Sequence, residues 1–175
     1  MMPAVADSGP VIHLAILEHT ALLHRYFHPL FILPQVYDEV VTQGGGRPGM
    51  HALATACARG EVHVIEIRDT EGIARLRQRP SGLSSVSEVD VRVVALALEQ
   101  QVLLLTDDHA VRLLATAHSV PVMGSIGILI RARLEGVIEA LKPLLNQLIA
   151  AGFHLDHLDP QGQVYREAVQ RVGED

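Results

Sequence analysis

The sequence contains little cysteine, lysine or aromatic side chain, and each shortage argues against a class of protein. Its 175 residues include one cysteine, Cys57, which excludes an internal disulfide framework and fits a reducing compartment. Thirteen arginines accompany a single lysine, Lys142, which argues against mechanisms that need a lysine, such as a Walker A loop or a Schiff base. Aromatic residues make up 3% of the chain, so few side chains can stack on nucleic-acid bases.

Long apolar segments without charge are also missing. The run VRVVALALEQQVLLL contains Arg92 and Glu99 and is too short to span a membrane. MMPAVADSGP lacks the basic region of a signal peptide, so we expect a cytoplasmic protein without membrane contact. The net charge of −6 does not favour sequence-independent binding to phosphate backbones. With 49% hydrophobic residues, we expect one domain over residues 1–175, on which helices from about residue 136 onward pack.

Strand-like segments alternate with helical segments along the chain. Short apolar strands are predicted at 4–7, 30–34, 62–67, 102–106 and 120–124. Helical patterns separate them, with a break expected near Glu18 in the first. This alternation predicts an α/β fold, a three-layer α/β/α sandwich with a parallel sheet of four or five strands.

Acidic side chains follow two of the predicted strands at the point where each strand ends. Asp7 ends the first strand, next to Ser8, and Asp107 and Asp108 follow the fourth strand, next to Thr106. Ligands of open parallel sheets bind at the carboxyl ends of the strands, near the point where the strand order reverses. We therefore expect these side chains to meet if the two strands are neighbours. Adjacent carboxylates repel each other, and Mg²⁺ or Mn²⁺ would remove that repulsion through the oxygen ligands that these ions prefer.

Two further acids are predicted near the same edge of the sheet. Glu39 lies about one turn into the helix that begins at Pro34, and Asp90 lies near the start of a long helix, where the helix dipole favours an anion. Asp7 and one of Asp107 and Asp108 could instead cap helices, and Glu39 could be a solvated helix residue. Their joint position favours a site for one tightly held ion or two loosely held ions. The glycine-rich segment 44–49 lacks the ending of a phosphate loop and is predicted to be a loop beside this site.

Four ordered segments resemble the successive motifs of PIN-domain nucleases of the VapC type. They read VADSGPVIHLA, ILPQVYDEVV, SEVDVRVVALALEQQVLLLTDDHAVRLLA and VMGSIGILIRARLEGVI. They are similar in particular to an uncharacterised prokaryotic PIN-like subgroup with two successive aspartates after the fourth strand. The resemblance covers most of residues 4–150, and it implies a PIN-like fold.

By position, the resemblance also implies a set of site residues. The catalytic acids fall, in chain order, on Asp7, Glu39, Asp90 and Asp108. The metal ligands that it implies are Asp7, Asp90, Asp107 and Asp108, with Ser8, Thr106 and Glu88 in support. Glu88 stays open as the alternative to Asp90, because Val89 replaces a glycine that is typical of the subgroup. The choice between Asp107 and Asp108 as the main ligand also stays open.

The function that the resemblance implies is that of an endoribonuclease dependent on Mg²⁺ or Mn²⁺. It further implies an RNA substrate and a role as the toxin of a toxin–antitoxin pair, with an antitoxin protein as partner, and we expect a homodimer. The alternative is a catalytically silent PIN-like module that binds protein or RNA. A third hypothesis, an α/β phosphotransfer domain, is disfavoured because Lys142 lies far from any predicted strand end.

Overall fold

The computed structural model describes residues 1–43, 50–77, 85–153 and 162–174. Within these residues, one sheet contains five strands: β1 (Met2–Ala6), β2 (Phe27–Ile32), β3 (Val62–Val64), β4 (Leu103–Leu105) and β5 (Val122–Met123). All pairs are parallel, and the strand order is β3-β2-β1-β4-β5. The order reverses between β1 and β4, because the chain proceeds outward from β1 to β3 and then returns to the other side of β1. The predicted three-layer α/β/α class with a parallel sheet is confirmed.

Helices follow or precede each strand. Those of the described residues are α1 (Ser8–Ile16), α2 (Ala21–Tyr26), α3 (Pro34–Tyr37), α4 (Met50–Ala58), α5 (Thr70–Arg77), α6 (Glu88–Gln100), α7 (His109–Ala117), α8 (Ser125–Leu134), α9 (Lys142–Ala150) and α10 (Gln163–Arg171). A π-helical turn, Asp38–Thr42, continues α3. In the part of the chain covered by these elements, no helix combines the length and apolar character needed to cross a membrane. The predicted loop at 44–49 lies outside the described residues.

The centre of the sheet is the most deeply buried part of the fold. Ala4, Val5 and Ala6 of β1 are fully buried, as expected for a parallel strand covered on both faces. Helix α6 packs on β1 and β4, and it buries Val91, Val93, Val94, Ala95, Leu96 and Ala97. Small side chains in β1 and β-branched side chains in α6 bring this helix close to the strand whose end carries Asp7.

The five strands are present, but their bounds differ from the predicted ones; β2, for example, begins at Phe27 rather than at residue 30. The break near Glu18 is confirmed, since Glu18 takes a left-handed φ of 59° after α1 ends. The third strand was predicted too long, because β3 ends at Val64 rather than at residue 67. Its ladder ends with the bond from Ile65 N to Ile32 O at 3.0 Å, and the next side chain, Glu66, faces solvent and accepts a bond from Arg92. Strand β3 is an edge strand, so no outer neighbour extends it.

The chain divides into two compact units, Met1–Gly124 and Ser125–Asp175. The first unit contains the whole sheet. In the second unit, the Glu174 carboxylate accepts bonds from the backbone N–H groups of Leu141 and Lys142, both at 2.8 Å, and from Arg133 Nε at 2.7 Å. Glu174 thus satisfies free N–H groups at the start of α9.

Candidate active site

The carboxyl ends of β1 and β4 meet at the point where the strand order reverses. Asp7 follows β1, and its backbone N–H donates to Leu105 O at 2.9 Å, which continues the ladder to β4 by one residue. Thr106 follows β4 and donates its own N–H to Met123 O of β5 at 2.9 Å. The predicted neighbourhood of the two strand ends is therefore present, and it lies where open α/β sheets bind ligands.

Asp7 is the buried acid of this region. Its residue is 8% exposed, and its Oδ2 accepts the Thr106 hydroxyl at 3.0 Å. Its Oδ1 accepts the backbone N–H of Ser8 at 2.7 Å, so Asp7 also caps α1. Thr106 contacts Asp7 through its side chain, whereas Ser8 contacts Asp7 through its backbone rather than its hydroxyl.

Three acids interact electrostatically at this position. The pKa of the Asp7 carboxyl is raised from 3.8 to about 6, and burial is the largest cause of this rise. The hydrogen bonds from Ser8 and Thr106 lower this pKa in part, and the negative charges of Asp90 and Glu39 raise it further. The folded protein thus holds Asp7 in an environment that disfavours its charged form. A cation beside Asp7 would offset both the burial and the repulsion.

Asp90 reaches this region from the first turn of α6. Its backbone N–H donates to Ser87 Oγ at 3.1 Å, and its Oδ2 accepts the Ser87 N–H at 2.6 Å, which is a reciprocal capping box. The box fixes the Asp90 side chain and uses one of its two oxygens. Glu88, the alternative third acid, binds Arg77 on the surface at 2.5 Å. Among these two acids, it is Asp90 whose charge acts on Asp7.

Glu39 reaches the region from the π-helical turn after α3. The turn is identified by the bond from Gln43 N to Asp38 O at 2.9 Å, which spans five residues. Glu39 itself is exposed. It therefore lies at the outer side of the site, while its charge still acts on Asp7.

The two successive aspartates after β4 have separate contacts. Asp108 is the N-cap of α7, with Oδ1 accepting from Val111 N at 2.9 Å, and its own N–H donates to Thr106 Oγ1 at 3.3 Å. Asp107 turns the other way, and its Oδ2 lies 2.7 Å from His13 Nδ1. Their different directions relieve the repulsion that two adjacent carboxylates would otherwise have.

The contact between Asp107 and His13 was not predicted from the sequence. His13 lies on α1, six residues after Asp7, in a segment that is otherwise apolar. The exposure of the two side chains is 19% for His13 and 9% for Asp107, so the pair is largely buried. The one signal in the sequence was a histidine within an otherwise apolar helical segment. That signal gave no indication of which carboxylate it meets 94 positions later.

The donor set fits a hard divalent cation in its chemistry. Asp90 and Asp108 each use one carboxylate oxygen for capping and leave the other without a hydrogen bond among the described residues. Oxygen ligands of this kind are the ones that Mg²⁺ and Mn²⁺ prefer. Within residues 1–43, 50–77, 85–153 and 162–174, no group of three His, Cys, Asp or Glu side chains is already arranged around one point that could hold an ion.

A parallel α/β sheet with a buried acid at its switch point, and with further acids acting on it, is compatible with a PIN-type fold. The chain belongs to the PIN-domain family, since the model of the family described as "DUF3368: PIN domain" matches residues 3–174. PIN domains are generally nucleases, and they generally use divalent metals.

Comparison with solved structures supports the same fold. The crystal structure of PAE2754 from Pyrobaculum aerophilum is similar to this chain with a TM-score of 0.50 and 14% sequence identity. The similarity covers 74% of this chain and 96% of that one. No curated protein matches the sequence.

Proposed function

We propose that this protein is a metal-dependent endoribonuclease that hydrolyses RNA phosphodiesters. The observation that carries the proposal is the environment of Asp7. It lies at the switch point, is bonded to Thr106 and is acted on by the charges of Asp90 and Glu39. Structural carboxylates are usually paired with cations, whereas the charged groups that act on Asp7 are two further acids, Asp90 and Glu39. Such crowding is typical of acids retained for a bound cation and its chemistry.

Asp7, Asp90 and Asp108 would hold the ion, with Glu39 at the border of the site. When bound, Mg²⁺ or Mn²⁺ activates a water molecule and neutralises charge on the phosphate. The chain's own contribution is orientation: Thr106 fixes Asp7, Ser87 fixes Asp90, and the N–H of Val111 fixes Asp108. Asp107 has a different part in this proposal, because its contact with His13 ties α1 to the segment after β4.

The direct test is cleavage of single-stranded RNA by purified protein with Mn²⁺, followed on a gel, with EDTA as the stop. We expect cleavage by the wild type and a loss of at least about a hundredfold in Asp7→Asn and Asp108→Asn. The matched control is Glu71→Gln, which removes one exposed carboxylate from α5 and should leave the rate unchanged. Equal rates in Asp7→Asn and the wild type would contradict the proposal.

A second candidate is a catalytically silent PIN-like module that binds protein or RNA. The capping contacts of Asp90 and Asp108 favour it, since they give both residues a structural reason to be present. The same assay separates the two candidates. The silent module is identified if the wild type cleaves none of several RNAs with either metal, and if the wild type and Asp108→Asn bind RNA or a partner protein equally well.

The proposal extends to the cellular role. We propose that the protein is a cytoplasmic homodimer and the toxin of a toxin–antitoxin pair. We also propose that it belongs to the PIN-like subgroup with two successive aspartates after the fourth strand. Expression in bacteria should then arrest growth, and Asp7→Asn should relieve the arrest. Light scattering after size exclusion measures the oligomeric state, and a monomeric mass at assay concentration would contradict the homodimer.

A further inference from the structure

Arg112 is an arginine held at the same strand end as the acids. It lies one turn into α7, and its Nη1 donates to the backbone carbonyl of Thr106 at 2.9 Å. Thr106 is also the residue whose hydroxyl binds Asp7. The guanidinium is therefore fixed in position relative to Asp7 by one intervening residue.

A glycine leaves room for this arrangement. A Cβ atom at Gly124 would lie 2.6 Å from Asp107 Oδ1, 3.1 Å from Arg112 Nη1 and 3.3 Å from Thr106 O. Any larger residue would push the carboxylate or the guanidinium away from the end of β4. The backbone at Gly124 thus forms one wall of the place where Arg112 sits.

Arg112 forms no direct ion pair within the part of the chain that the structure describes, although the Asp107 carboxylate lies close to it at Gly124. Five other arginines of that part do form ion pairs: Arg75, Arg77, Arg92, Arg131 and Arg133. Asp107 binds His13 through its Oδ2, while its Oδ1 lies next to Gly124, as Arg112 Nη1 does. Arg112 is half-buried and uses one of its five N–H donors on Thr106. A partly desolvated guanidinium with donors to spare is suited to an anion, and its fork matches two oxygens of a phosphate.

We propose that Arg112 binds a phosphate of the RNA strand next to the one that is cleaved, and that it thereby positions the strand on the acids. The inference rests on the proposed endoribonuclease function and adds the residue that recognises the substrate backbone. Asp7, Asp90 and Glu39 repel an RNA strand until a cation is bound. Arg112 supplies attraction at the same edge of the sheet. Because a neighbouring phosphate does not change charge during the reaction, this contact stabilises bound substrate and transition state alike.

The first test is the steady-state kinetics of RNA cleavage with Mn²⁺ by the wild type, Arg112→Gln and Arg112→Lys. We expect Arg112→Gln to raise KM about tenfold with little change in kcat, and Arg112→Lys to fall between the two. The control is Arg25→Gln, which removes an exposed arginine from α2 at the opposite end of the sheet, before β2 begins. An unchanged KM in Arg112→Gln, or an equal rise in Arg25→Gln, overturns the inference while the nuclease function stands.

The second test uses RNA in which one phosphate at a time is replaced by an uncharged methylphosphonate. In the wild type, replacement of one phosphate beside the cleavage site should weaken binding about tenfold. In Arg112→Gln, replacement of the same phosphate should weaken RNA binding little further, because the side chain and the phosphate form one interacting pair that the substitution has already removed. Arg112→Gln should also reduce the slope of log Kd against log salt concentration, by the amount expected for the loss of about one phosphate contact. If Arg112→Gln does not fold, the wild-type scan decides, since a scan with no sensitive neighbouring phosphate overturns the inference.

The outcomes also separate this inference from the proposed function. Wild-type protein that neither binds nor cuts RNA with Mn²⁺ overturns both. Wild-type protein that cuts RNA, with a flat methylphosphonate scan beside the cut, overturns the role of Arg112 alone. The thermal shift produced by Mn²⁺ should be equal in Arg112→Gln and the wild type; its loss would show that Arg112 acts by holding Thr106 and the acids in place, and would overturn the phosphate contact.

Discussion

At the scale of single residues, Asp7 combines two roles that oppose each other. As the cap of α1 it satisfies a backbone N–H, but as a buried acid near Asp90 and Glu39 it destabilises the fold when ionised. The pKa of Asp7 is about 6 in the folded protein, against 3.8 for an unperturbed aspartate. Between these two values the folded state binds more protons than the unfolded state, so stability falls as pH rises.

We therefore expect Asp7→Asn to stabilise the metal-free protein above about pH 7, by about 3 kcal/mol at most. Asparagine keeps an oxygen that can accept from Ser8 or Thr106 but cannot ionise. The gain should shrink as pH falls from about 6 to below about 4, where the wild-type carboxyl is protonated in both states. Urea unfolding of both proteins across this range measures it. A gain that is constant with pH would show that ionisation of Asp7 is not its cause.

The pair of His13 and Asp107 makes a second prediction at this scale. His13→Ala removes one partner of a carboxylate whose side chain is 9% exposed, and we expect a loss of about 1–3 kcal/mol of unfolding free energy. A double-mutant cycle with Asp107→Asn should give a coupling energy of at least about 0.5 kcal/mol. Strictly additive losses would mean that the two side chains stabilise the fold independently.

At the scale of helices and strands, the capping role of Asp108 can be separated experimentally from its proposed catalytic role. Asparagine caps a helix as well as aspartate does, so Asp108→Asn should keep the stability of α7 and lose cleavage. Alanine removes both the cap and the charge, so Asp108→Ala should lose cleavage and also about 1 kcal/mol of stability. Thermal melts and the RNA assay, run side by side, measure this. Full activity in Asp108→Asn would leave Asp108 with a capping role alone.

The sequence was sufficient for the parallel sheet and for the region in which the candidate site lies. Apolar strands alternating with helices led to a parallel sheet, and acids at two strand ends pointed to the carboxyl ends of β1 and β4, which are neighbours. The prediction failed where contacts with neighbouring strands or helices determine the local structure. The end of β3 depends on its being an edge strand, and the contacts of His13 and Arg112 depend on how α1 and α7 are rotated about their axes over the sheet. Local propensity does not determine either property.

At the scale of the whole molecule, binding of a metal ion should be linked to folding. An ion that binds only the folded state raises its stability by mass action, by about 2.7 kcal/mol at a hundred times the dissociation constant. We expect Mn²⁺ to raise the melting temperature of the wild type and to have little effect on Asp7→Asn. Glu71→Gln is again the control and should show the wild-type shift. Equal shifts in wild type and Asp7→Asn would place the ion elsewhere.

The hydrogen bond between Thr106 and Asp7 joins positions that are 99 residues apart, and this has a consequence for synthesis on the ribosome. A growing chain that ends before β4 already contains Asp7, Glu39 and Asp90, but it lacks the strand that closes the sheet beside β1. Such a chain cannot complete the site. If the protein is the proposed ribonuclease, a nascent or truncated chain that ends before β4 would therefore not cleave the RNA that surrounds it, and activity would begin only after more than half of the chain has been made.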